Sequence, residues 1–118
     1  MTLLSKAAIL AANDLPSKDV DVPEWGGTVR IRSMTATDRD AFEIAQLEAQ
    51  REGRAAPDNI RARYVAACVI GEDGLPLFDE SEVTKLGNKS AKALDRVFTA
   101  ITGMNSVEPG AVEEAAIN

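Results

Sequence analysis

Histidine is absent from the 118 residues, and cysteine occurs once, at Cys68. Without histidine there is no Ser-His or Cys-His catalytic couple, no imidazole metal ligand and no side chain with an unperturbed pKa near neutrality. Cys68 stands among Ala66, Ala67, Val69 and Ile70 with no basic neighbour, which favours a small buried apolar residue over a nucleophile. A lone cysteine also excludes an internal disulfide framework. We therefore predict no catalytic residues and a protein that is not an enzyme.

Carboxylates are numerous, but they do not form a metal-binding pattern. Asp19, Asp21, Asp38 and Asp40 alternate with other residues, yet they lack the glycine and the distal glutamate of a calcium loop. Hairpin solvation and stabilisation of a helix start explain them better. The "EWGG" stretch has neither the glycine spacing nor the following Lys-Ser or Lys-Thr of a phosphate loop. We predict no metal and no cofactor.

Aromatic residues make up only 4% of the chain, so the core must consist mostly of Ala, Val, Leu and Ile. No apolar run has the length needed to cross a bilayer, and we expect no membrane partner and a cytoplasmic protein. The formal net charge of −6 argues against general affinity for nucleic-acid phosphates, so a nucleic-acid partner is not expected.

Residues 19–32 alternate apolar and polar side chains on both sides of "PEWGG", which predicts a β-hairpin. If Gly26 and Gly27 form a two-residue loop, Val22 lies opposite Ile31 and Asp21 lies opposite Arg32. Proline cannot donate to the ladder, so Pro23 must lie at an edge or outside the paired residues.

The remaining pattern is helical. Ser5, Thr35 or Thr37, Asp79 and Ser90 are expected to cap successive helices, with Gly53, Gly87 and Gly103 near helix ends. Residues 59–70 are apolar almost all round in their second half, which predicts the most buried helix. In the helix after Thr35 or Thr37, an apolar stripe is expected to face the core. Its members are Phe42, Ala45 and Ala49, widened by Ala41, Ile44 and Leu47.

These patterns predict an α+β fold that is mostly helical, with one N-terminal β-hairpin packed on four or five helices. We expect a single domain over residues 1–118, with residues 104–118 as a flexible tail.

The candidate partner-binding residues are one tryptophan and six arginines. Trp25 has two possible roles: a plug over the helix layer, or an exposed anchor for another protein. The arginines either bind an acidic partner or form a solvated rim whose side chains make ion pairs with Glu48, Glu52 and Asp58. The candidate set is Trp25, Arg30, Arg32, Arg51, Arg54, Arg61 and Arg63.

Three stretches together resemble the tail assembly chaperones of long-tailed, siphophage-type bacteriophages and prophages. They are "LLSKAAILAANDL", "VDVPEWGGTVRIRSMTATDRDAFE" and "FDESEVTKLGNKSAKALDRVFTAITGMNSV", followed by an acidic, alanine-rich end. The resemblance covers nearly the whole chain, is most specific in residues 22–32 and 89–97, and includes no catalytic signature.

The resemblance implies a non-enzymatic helper that binds the long, apolar, helical tape-measure protein and supports tail tube assembly around it. It implies work in the host cytoplasm and absence from the mature virion. A longer form made by frameshifting would engage the tail tube protein, and self-association into a homo-oligomer is a further expectation.

The alternative function is a small helical nucleic-acid-binding regulator that uses Arg61 and Arg63. The net charge opposes it, and the apolar second half of residues 59–70 suits a nucleic-acid groove poorly. A third possibility is a hydrolase or transferase that uses carboxylates alone, but the sequence contains no paired-acid motif to support it.

Overall fold

The computed structural model describes residues 2–105. Its helices are α1 (Lys6–Ala11), α2 (Ala36–Arg51), α3 (Ile60–Cys68), α4 (Val83–Gly87) and α5 (Ala91–Asn105). Its strands are β1 (Ser17–Val22), β2 (Gly27–Arg32) and β3 (Val69–Ile70), with single 3₁₀ turns at Pro23–Trp25 and Glu80–Glu82. The α+β prediction, with an N-terminal hairpin on a mostly helical body, is confirmed.

The strands form one antiparallel sheet in the order β1-β2-β3. β1 and β2 pack on α5, and α3 packs on both α4 and α5. The fully buried side chains where these elements meet come from all three strands and from α3 and α5. Each element contributes β-branched or small residues, spaced so that they lie on one side of the strand or helix. They are Val22, Ile31, Val65, Cys68, Val69, Val97 and Ile101.

The predicted register of the hairpin is wrong. Val22 pairs with Gly27, Val20 with Val29, and Asp21 with Thr28, because the connection is the four-residue stretch 23–26 and not a two-residue glycine loop. Pro23 begins a 3₁₀ turn outside the ladder, and Gly26 has a φ of 72° that suits glycine. The error shifts the pairing by an even number of residues, so the apolar face is preserved.

The helix predicted for residues 59–70 ends earlier than expected. Val69 and Ile70 leave α3 as β3 and pair with Ile31 and Arg30 of β2. A short apolar run fits a buried helix and a buried strand equally well, so periodicity does not separate the two. α3 is nonetheless rich in buried residues, with Ala62, Val65, Ala66 and Cys68 all inside.

Four helix caps confirm the expected starts. Ser5, Thr35 and Ser90 accept hydrogen bonds from the backbone N–H groups of Ala8, Asp38 and Ala93, each at 3.1 Å. Asp79 forms a capping box with Glu82. The helix predicted after Ser90 continues two residues past Gly103, to Asn105. The predicted flexible tail falls mainly on residues 106–118, outside the described residues.

Candidate functional site

An aromatic groove lies between α2, α3 and α5. Phe42, Tyr64 and Phe98 come from the three helices in turn and form a row, with ring centroids 4.3 Å and 5.0 Å apart. Both pairs are tilted, an arrangement that aromatic quadrupoles favour. The guanidinium carbon of Arg61 lies 5.7 Å from the centre of the Phe98 ring, within cation–π range.

The groove has a volume of about 500 Å³ and an apolar floor beneath a polar rim. All three rings remain half-buried, although this chain has few aromatic residues with which to fill its core. Apolar walls with a few polar groups at the edge are typical of sites that receive apolar side chains. The other lining residues are Met34, Arg39, Glu43, Gln46, Ala56, Ile60, Thr102 and Asn105.

Asn105 fixes one end of the aromatic groove. Its Oδ1 accepts from the backbone N–H of Met34 at 2.7 Å, and its Nδ2 donates to the Ile101 carbonyl at 2.7 Å. Arg39 Nη1 reaches the Asn105 carbonyl at 3.4 Å. At the other end, Gln46 Nε2 donates to the Ala55 carbonyl at 2.9 Å. One of these bonds, from Arg39 to Asn105, joins α2 to α5, whereas the Gln46 bond links α2 to the segment before α3.

Trp25 lies at the hairpin tip, away from this groove, and is 36% exposed. It is not among the residues packed on the buried cluster. Its neighbour Glu24 accepts from Arg96 Nε of α5 at 2.8 Å, which fixes the turn against that helix. A hydrogen bond from its own backbone, followed by the bond from Arg96, lowers the pKa of Glu24.

Arg30 and Arg32 lie on the same face of β2 but have different surroundings. Arg30 is exposed and pairs across the strands with Asp19 at 2.8 Å, and this hydrogen bond lowers the pKa of the Asp19 carboxyl. Arg32 is mostly covered: its Nη2 donates to the Ala67 carbonyl at 3.3 Å and lies 3.9 Å from Asp38. Arg32 therefore ties the sheet to α3 and the start of α2.

The four remaining arginines do not all share one surface, although Arg54 and Arg63 both contact Asp58. Arg54 pairs with Glu52 at 2.9 Å and Asp58 at 3.1 Å, while Arg61 pairs with Asp95 of α5. Arg63 donates to the Asp58 carbonyl at 2.8 Å.

Arg61 and Arg63 lie on opposite sides of α3. Arg61 borders the groove's Phe98, whereas Arg63 lines a separate depression of about 270 Å³ between α2 and residues 78–83. Within residues 2–105, Arg51 at the end of α2 has no ion-pair partner. Such a dispersed set suits a solvated rim better than a single acidic-partner site.

Cys68 is buried, as the sequence predicts. Burial, with a smaller contribution from Asp38, raises the pKa of its thiol to about 11. The thiolate is the reactive form, so this thiol is unreactive at neutral pH. Across residues 2–105 no cluster of three or more acidic or cysteine side chains has the geometry to hold a metal ion. Within the same range, no helix combines the length and apolar character needed to span a membrane.

Two apolar surfaces are exposed that the sequence does not single out. The expected widening of the core-facing side of α2 is wrong: Ala41 is exposed, and Ile44 and Leu47 are 57% and 54% exposed. Ile44 and Leu47 are hereafter called the α2 stripe. Residues 3–11, the N-terminal arm, contain no buried residue, and Leu3 and Leu10 are 95% and 79% exposed.

The structure shares its fold with a class of phage assembly factors, the tail assembly chaperones. The solved structure of the bacteriophage HK97 tail assembly chaperone superposes with a TM-score of 0.57 at 16% sequence identity. The similarity covers 85% of this chain and 93% of that chain. No protein-family model matches the sequence, and no curated protein matches it significantly. The resemblance predicted from the sequence is therefore confirmed at the level of the fold.

The aromatic groove is the feature that sequence reasoning missed. The sequence pattern places Phe42 in the core-facing stripe of its helix, whereas for Tyr64 and Phe98 it predicts only that they lie in helices. The available signal was their scarcity: three of the few aromatic residues fall on three different predicted helices.

Proposed function

We propose that this protein is a non-enzymatic phage tail assembly chaperone that binds the tape-measure protein in the host cytoplasm. The observation that carries the proposal is the shared fold with the HK97 tail assembly chaperone, which extends over 85% of this chain. The sequence resemblance suggests the partner, the tape-measure protein, which is a long apolar helical chain that must be kept soluble during assembly.

The aromatic groove is the proposed binding surface for the tape-measure protein. An amphipathic helix binds by inserting apolar side chains at one-turn intervals into a groove. Tyr64 and Phe98 offer rigid apolar faces of the kind that dominate binding energy in interfaces, and Arg61 stacks beside them. Arg39, Gln46 and Thr102 at the rim can hydrogen-bond to the polar side of the bound helix.

Trp25 is proposed as a secondary contact, because its ring is partly exposed at the hairpin tip. The tail tube protein, engaged by a longer frameshifted form, is proposed as a later partner. We further propose that the chaperone leaves before the virion is complete.

Co-expression with the tape-measure protein of the same tail-gene cluster tests the function. The chaperone should increase the soluble fraction of the tape-measure protein and co-purify with it. Thr102→Glu places a charge at the rim of the groove and should sharply reduce recovery of the complex. Thr99→Glu is the matched control: it lies on the same helix, is exposed outside the groove, and should leave recovery unchanged.

Failure of the wild-type chain to bind or solubilise the tape-measure protein contradicts the function. Equal recovery with both threonine variants contradicts the groove assignment while leaving the function standing.

A further inference from the structure

α2 is the least buried of the three helices that line the aromatic groove. Only Ala49 is buried among its 16 residues, whereas α3 buries four of nine residues and α5 buries four of 15. The free energy of a local opening is lowest where few buried apolar contacts are lost. α2 should therefore separate from the rest of the fold more readily than α3 or α5.

Two open spaces lie beneath α2, one on each side of the helix. α2 contributes one set of side chains to the aromatic groove and another to the depression of about 270 Å³ beside residues 78–83. They are Arg39, Glu43 and Gln46 on the groove side, and Asp38, Ala41 and Ala45 on the side of the depression. Phe42 lies between the two sets and lines both spaces, and its ring centroid is 4.3 Å from that of Tyr64. α2 therefore contacts α3 along a narrow line at Phe42, with open space on either side.

The polar contacts of α2 add little to this packing. Gln46 donates to the Ala55 carbonyl at 2.9 Å, and Arg39 reaches the last carbonyl of α5 at 3.4 Å, but both bonds are exposed. Exposed polar pairs contribute little to stability. Asp38 Oδ2 is shielded from solvent and lies 3.9 Å from Arg32 Nη2, yet it accepts no hydrogen bond within residues 2–105. Opening would return this oxygen to water and remove the cost of leaving it without a donor.

We propose that α2 is a hinged cover that undocks from α3 as one unit. Residues 33–35 and 52–59, which flank α2 and contain no helix or strand, absorb the movement. When α2 is undocked, the aromatic groove and the depression form one continuous apolar surface on α3. The use of that surface by a tape-measure helix rests on the proposed function, whereas the undocking itself does not. Isolated helices of about this length are only marginally stable in water, so the undocked segment exchanges its amide hydrogens.

Native-state hydrogen exchange of the full chain, followed by NMR at urea concentrations below the unfolding transition, measures the undocking. The amides of residues 40–51 should share one opening free energy with a shallow urea dependence. Their protection factors should be at least about tenfold below those of the slowest amides of α3 and α5. Gln46→Ala removes the bond to Ala55 and should speed the exchange of α2 about two- to tenfold, without changing α3 or α5. Gln50→Ala is the matched control, because it makes the same change one turn later, at an exposed side chain that has no hydrogen bond within residues 2–105.

Thiol labelling measures exposure of the surface beneath α2 independently. Ala66 lines the depression on α3, whereas Ala62, one turn earlier, lines a cleft beside the end of α4. Iodoacetamide should label Ala66→Cys at least about tenfold faster than Ala62→Cys, because only the first thiol is uncovered when α2 undocks. Adding Gln46→Ala should speed the first reaction and leave the second unchanged. Peptide mass spectrometry separates each new thiol from the buried Cys68.

The proposal is overturned if the amides of α2 have the opening free energy and urea dependence of α3 and α5. It is also overturned if protection within α2 declines gradually toward the helix ends, as in fraying, if Gln46→Ala and Gln50→Ala exchange alike, or if the two cysteine variants are labelled at one rate. All of these measurements use the chaperone alone. Failure to bind the tape-measure protein would therefore contradict the proposed function and leave the undocking untouched.

Discussion

Substitution of Val65 by aspartate should destroy the cooperative fold. Val65 is fully buried on α3, where it belongs to the cluster shared with the sheet and α5. Losing the burial of a valine side chain costs about 1.5 kcal/mol or more. Burying a carboxylate without a partner adds several kcal/mol, whether it stays ionised or takes up a proton.

The combined cost is about 4–6 kcal/mol, against a total stability of about 5–15 kcal/mol for an ordinary domain. The matched substitution is Ile44→Asp in the α2 stripe, where the side chain is 57% exposed. This substitution loses little buried apolar surface, and its lower helix propensity costs about a few tenths of a kcal/mol. It should therefore reduce the free energy of unfolding by less than about 1 kcal/mol.

Urea unfolding followed by far-ultraviolet circular dichroism measures both variants under one protocol. The Ile44→Asp transition should keep its slope and shift slightly, whereas Val65→Asp should show a broad or absent transition. Equal midpoints for Val65→Asp and the wild type would remove α3 from the core. Equal loss in both variants would show that the α2 stripe is buried.

Three further outcomes are expected. Trp25→Ala should cost less than about 3 kcal/mol of stability, because the ring is 36% exposed, and Trp25 emission should shift to the blue when the partner binds; a larger cost, measured by urea unfolding, would make the ring structural. Burial raises the pKa of the Cys68 thiol from 9.0 to about 11, so the contribution of the thiol to stability is complete below pH 9.0 and is lost as the pH rises toward 11. The difference in unfolding free energy between the wild type and Cys68→Ala should therefore change across that window. A constant difference would refute the burial argument. Arg30→Gln should raise the pKa of Asp19 toward its ordinary 3.8, followed by NMR titration of the carboxyl group, and an unchanged pKa would show that the pair does not persist in solution.

The parts of the fold that were predicted correctly depend on local chemistry. Ser5, Thr35 and Ser90 cap helices because a hydroxyl oxygen accepts from a nearby N–H group, whatever lies elsewhere in the chain. The apolar face of the hairpin was also correct, since alternation alone determines it. The register was not, because Pro23 and Trp25 extend the turn into a 3₁₀ helix.

Features that depend on tertiary contacts were not predictable in this way. Val69 and Ile70 continue the apolar pattern of α3, and only pairing with β2 makes them a strand. Ile44 has the spacing of a core residue, yet α2 packs through Phe42 and Ala49 on its other side. The aromatic groove needs three helices in their final positions, so no single stretch of sequence indicates it.

Hydrogen–deuterium exchange of the chaperone alone and with purified tape-measure protein tests the central proposal most directly. Binding in the aromatic groove predicts increased protection in residues 42–46, 56–64 and 98–105, with little change in the edge strand β1. Protection confined to the hairpin, or no change in any peptide at saturating tape-measure protein, would contradict the proposal.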